Sequence, residues 1–85
     1  MEIKQQNRLI SAITAVDRAN LSVSDYQAKL DQLLGGVSMD DRTLLAAELT
    51  TRMKDWWKAQ EGQEHQKPNP YAPAVHGYFY PAGGS

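Results

Sequence analysis

Cysteine is missing from this 85-residue chain. Its absence removes disulfide frameworks and thiolate metal sites together and suits a reducing compartment. Net charge is equally scarce: nine Lys plus Arg stand against ten Asp plus Glu, leaving −1. There is no basic field to gather phosphates and no strong acidic field either. No stretch approaches the ~18–20 consecutive apolar residues of a membrane-crossing helix. Met1-Glu2-Ile3-Lys4-Gln5-Gln6 has no apolar core, so a secretory signal is not expected. With 41% hydrophobic residues the chain suits one small compact domain, expected in the cytoplasm or in a particle assembled inside the cell.

Two further absences divide the chain. Proline does not occur before Pro68, and no formally charged side chain occurs after Lys67. Six of the seven aromatics (Trp56, Trp57, Tyr71, Tyr78, Phe79 and Tyr80) follow position 55. The expected organisation is an all-α domain over residues 1–62, two short helices and one longer one. An extended arm rich in aromatics, Pro and Gly is expected over residues 63–85.

Apolar spacing in the first region is helical rather than alternating. Leu9, Ala12, Ile13 and Val16 mark the buried side of a helix from about Ile3 to Ala19, with Ile3 and Ile10 toward its flank. Ser22 and Asp25 form a capping box for the second helix, with Leu21 and Tyr26 in the staple positions. Tyr26, Leu30, Leu33 and Leu34 give its stripe, and Gly35 is read as a left-handed stop. Ser38 and Asp41 repeat the box for the third helix, whose first turn carries Asp40 and Asp41 at the positive end of the helix dipole. Leu45, Leu49, Met53 and Trp56 fall within a sector of ~80°. That helix should reach about Gln60, with Gly62 as terminator. Leu44 and Trp57 lie outside the sector, at the rim.

Three short helices make a thin core, and a domain of this size usually needs further burial. Either copies associate or the arm folds back. Disordered tails are typically charged and poor in aromatics, whereas the arm is neutral and ring-bearing. Its prolines favour an extended path. Tyr78-Phe79-Tyr80 could add as a short strand to a partner's sheet edge.

Chemistry-bearing constellations are weak by comparison. His65 and His76 stand apart, and only Glu61 shares a helical spacing with His65, so no metal site is expected. Ser22 and Ser38 are used as caps, no nucleophile elbow occurs, and the paired acids Asp40-Asp41 are explained by a helix start. Gly35-Gly36 lacks the Lys of a phosphate loop. No enzyme, cofactor or metal role is expected. The expected function is a protein–protein interaction module: a small adaptor, an inhibitor, or an assembly subunit such as a virus-particle accessory protein, whose C-terminal arm latches onto a neighbouring chain or partner. Its partner is another protein or a second copy of itself. Expected contact residues are Leu44, Trp57, Tyr71, Tyr78, Phe79 and Tyr80, aromatics being enriched at interface centres. The alternative is a nucleic-acid-associated regulator in which Arg52, Lys54 and Lys58 meet the backbone while Trp57 stacks on unpaired bases.

Overall fold

The computed structural model describes residues 1–62 and 68–80. Four α-helices follow in chain order: α1 (Ile3–Arg18), α2 (Val23–Leu33), α3 (Met39–Ala59) and the single turn α4 (Ala72–Ala74). A π-helical turn, Val75–Phe79, continues directly from α4. Among the described residues there is no strand, and no helix is long and apolar enough to cross a membrane.

Local sequence chemistry sets the boundaries. The Ser22 hydroxyl accepts from the amide of Asp25 at 3.3 Å, and the Ser38 hydroxyl from that of Asp41 at 3.2 Å. These are the forward halves of the two expected boxes. The return bond is replaced at Asp41, whose carboxylate accepts from the Met1 ammonium at 3.4 Å. Asn20 ends α1 with a φ of 58°, a left-handed role that Asn tolerates better than most residues. Gly62, with a φ of 83°, follows α3 as expected. Gly35 does not take the left-handed conformation expected of it. Arg42 holds that connection instead: its Nη2 donates to the Leu34 carbonyl at 2.6 Å and its Nε to the Val37 carbonyl at 3.2 Å.

The core gathers Ile10 and Ile13 from α1, Leu30 and Leu34 from the α2 end, and Leu45, Leu49 and Met53 from α3. Ile10, expected at the flank, is buried, while Leu9 and Val16 pack at the margin. Ile3 is exposed. Alongside α1, α3 is tied by Arg52, whose Nη2 donates to Asn7 Oδ1 at 2.6 Å and whose Nε pairs with Glu48 at 2.9 Å.

The segment after α3 supplies the missing burial. Ala74 and Val75 enter the same core, and Tyr71, Ala72, Tyr78 and Phe79 pack against it. Asn69, 5% exposed, is the fastening. Its Nδ2 donates to the Met53 carbonyl at 3.0 Å, and its Oδ1 accepts from the Tyr71 amide at 2.9 Å. One side chain thus ties the segment to α3 and turns it into α4. Farther along, the Tyr78 hydroxyl donates to Asp31 on α2. The extended path expected over 63–85 therefore gives way to helical winding at Ala72–Phe79. Pro73 sits in the first helical turn, where no amide donor is needed. Tyr78-Phe79 lies inside the π-turn, so the expected strand geometry does not form there. Residues 63–67 and 81–85 of the expected arm lie outside the described residues.

Two substitutions test this packing by urea denaturation. Val75→Ala, in the core, should lower unfolding free energy by about 2 kcal/mol, and Tyr80→Ala by no more than ~0.5 kcal/mol. Gly62→Ala should cost about 1 kcal/mol, whereas Gly35→Ala should be neutral or stabilising by up to ~1 kcal/mol. The Gly35 substitution is tolerated because a Cβ there meets nothing nearer than backbone oxygens at 3.5 Å.

Candidate functional site

Met39 and Trp57 are eighteen residues apart on α3, about five full turns, so they lie on one line ~27 Å long. Met39 is 73% exposed and Trp57 41%. Beside the N-terminal half of that line runs the π-turn. Tyr78, Phe79 and Tyr80 form one wall of a cleft of about 330 Å³, and Met39, Arg42 and Ala46 form the other. Tyr80 remains 55% exposed at its edge. The Tyr78 and Phe79 rings meet edge to face at 5.1 Å, which fixes the wall. Trp56 and Trp57 pack in the same manner at 5.2 Å.

The expected contact residues separate in this geometry. Tyr78, Phe79 and Tyr80 come together at the cleft, and Trp57 continues its line. Tyr71 is turned to the core. Leu44, 56% exposed, lies ~140° round the helix from Met39 and does not join them. The expected basic face also divides. Lys54 and Lys58 are ~40° apart, but Arg52 lies ~120–160° from them and is engaged with Glu48 and Asn7. His76 is exposed on the π-turn, and His65, named with Glu61 as a weak metal spacing, lies outside the described residues.

Sequence reasoning missed Met39 as a contact residue. The eighteen-residue spacing to Trp57 was the available signal. It also missed a second cleft, of about 280 Å³, where α1 turns into α2. Asp17, Asn20, Leu21, Tyr26, Pro73 and Gly77 contribute to its lining. The Tyr26 hydroxyl itself is buried, without a hydrogen-bond partner among the described residues. Burial, reinforced by the Asp17 charge, pushes the Tyr26 phenol up to about 12. Burial also raises the Asp17 carboxyl, against a smaller lowering by Arg18. The signal in the sequence was an acid placed in the last turn of a helix, the unfavourable end for negative charge.

No protein-family model, curated protein or solved structure matches the chain. Functional inference therefore rests on the two clefts and the residues that line them.

Alkaline titration should expose the Tyr26 environment. In the unfolded chain the phenol ionises near 10.0, but in the fold it holds its proton to about 12. The folded state then binds more protons in that window, so stability falls as pH rises through it. Tyr78, also raised by burial and by its bond to Asp31, adds to the loss. Denaturant midpoints measured across the window should drop for the natural chain and drop less for Tyr26→Phe.

Proposed function

We propose that this protein is a non-enzymatic protein–protein interaction module, an adaptor, an inhibitor or a subunit of a larger assembly such as a virus particle. The carrying observation is that Met39 and Tyr80, each more than half exposed, flank one cleft from opposite walls. Single exposed apolar side chains are ordinary, whereas large ones converging on a concavity suit a partner. Trp57 extends the same line, giving the surface a second aromatic anchor. The returning segment acts here as a wall of the docking surface rather than as a free latch, since its Ala74 and Val75 are spent on the chain's own core. The partner is another protein or a second copy, and the lack of cysteine suits a reducing compartment. No catalytic, cofactor or metal role is assigned. The nucleic-acid reading has less support, because Arg52 is committed to α1 and faces away from Lys54 and Lys58.

Affinity capture from the source cell with three forms of the full chain tests this reading. The double variant Met39→Glu/Tyr80→Glu should lose the partner, each change costing ~2 kcal/mol or more of binding if these are anchors. Both positions are exposed, so stability should move by no more than ~0.5 kcal/mol. Charge reversal at Lys54 and Lys58, which leaves the Arg52 brace in place, should leave capture intact at moderate salt. Loss only with the charge reversal, together with steep salt dependence, would transfer the function to nucleic acid.

A further inference from the structure

Sulfur in this chain is confined to three methionines, because cysteine is absent. Two of them are sheltered. Met53 is 8% exposed in the core, and the Met1 side chain is 3% exposed. Met39, by contrast, is 73% exposed. It stands at the first position of α3, directly after the Ser38 cap, and lines the cleft whose other wall is Tyr78, Phe79 and Tyr80. Oxidation of a thioether follows its access to the oxidant. The fold therefore offers one sulfur to solvent and holds back two. With no thiol in the chain, that sulfur has no faster-reacting competitor.

We propose that Met39 is a site of reversible oxidation by peroxide and that its sulfoxide turns the docking surface off; the second half rests on the docking reading above. A lone pair of Met39 Sδ attacks one oxygen of hydrogen peroxide. The S–O bond forms as the O–O bond breaks, and the sulfur is oxidised by two electrons. The departing hydroxide takes the proton from the oxygen now bound to sulfur and leaves as water. An external dithiol reverses the step: the sulfoxide oxygen leaves as water, and the two thiols are oxidised to a disulfide. The sulfoxide replaces a flexible apolar side chain by a polar, chiral one. A partner seated on the cleft must then bury that oxygen, which is costly unless a donor meets it. The core is not involved, because the oxidised atom belongs to an exposed side chain. The surface changes its chemistry while the fold keeps its shape.

The test treats the full-length chain with hydrogen peroxide and follows the sulfoxide at each methionine by peptide mass spectrometry. Met39 should gain its oxygen on the order of tenfold faster than Met53 or Met1. The thermal midpoint should not move as Met39 is oxidised. Methionine sulfoxide reductases for both epimers, supplied with a dithiol, should return the reduced chain. In the affinity capture described above, the Met39 sulfoxide should hold its partner on the order of tenfold more weakly than the reduced chain. Reductase treatment should restore the capture. Met39→Leu should capture equally before and after peroxide, whereas Met39→Gln, a polar mimic of the sulfoxide, should be weak without it. Comparable oxidation rates at the three methionines, unfolding as Met39 is oxidised, or a sulfoxide that the reductases leave in place would overturn the oxidation site. Undiminished capture by the oxidised chain would overturn the switch. Equal capture by the reduced chain and by Met39→Glu/Tyr80→Glu would overturn the docking reading and the switch with it, while selective, reversible oxidation would still support the site.

Discussion

The fold depends on a single buried amide and the short segment it fastens. Met53 lies inside α3, and its carbonyl uses a second lone pair to accept from Asn69. Asn69 in turn receives the Tyr71 amide, so the chain is turned as soon as it is tied. Buried polar groups of this kind are costly unless every partner is present. Here both are, and the segment that follows delivers Ala74 and Val75 to a core that three helices would leave thin. Both clefts inherit a wall from this event. Pro73 and Gly77 line one, and Tyr78, Phe79 and Tyr80 line the other. Without the docked segment the helices would retain their caps but lose the concave surfaces on which a functional reading rests.

Local chemistry made much of this legible beforehand. Ser22 and Ser38 start helices because each side chain satisfies an amide three residues on, a relation contained within four residues of sequence. Gly62 ends α3 for a similarly local reason. What was not legible depends on other parts of the chain. Ile10 outranks Leu9 in the core because α1 is oriented by the elements packed around it, and a helical wheel gives a face without its exact rotation. Gly35 looked like a left-handed stop, yet Arg42 gathers the Leu34 and Val37 carbonyls and supports the turn from outside it. The prolines from Pro68 to Pro73 suggested an extended path because proline removes donors. They are equally at home before a helix and in its first turn. Asn69 decided between the two, and its partner Met53 lies 16 residues away. The candidate surface was half legible: the aromatics of the π-turn and Trp57 were visible, but Met39 and the Asp17–Tyr26 corner required the turns of the backbone to bring their neighbours in.

The near-zero net charge conceals a division of labour among cations. Arg42 is consumed by loop carbonyls, and Arg52 by Asn7 and Glu48. Both tie elements together through the fork geometry of the guanidinium, which a lysine could not reproduce. A count of basic residues along α3 suggests a nucleic-acid face. Their hydrogen bonds show that its strongest member is a structural brace, and the remaining lysines sit on a separate side of the helix.

Small domains have little stability to spare, so unsatisfied groups in them are informative. Among the described residues, a carboxylate without an ion pair at a helix C-terminus and a buried hydroxyl without a partner both subtract from a modest total. Met39, Tyr80 and Trp57 subtract differently, by leaving apolar area in water. Reassigning any one of these residues would be a simple route to a firmer fold, for instance Asn for Asp17 or Phe for Tyr26. The two kinds of departure occupy different corners of the molecule, and neither is needed by the Asn69 fastening or by the helix caps. The fold is thus complete without them, and the exposed apolar side chains gathered at the first cleft are what supports the docking reading proposed for it.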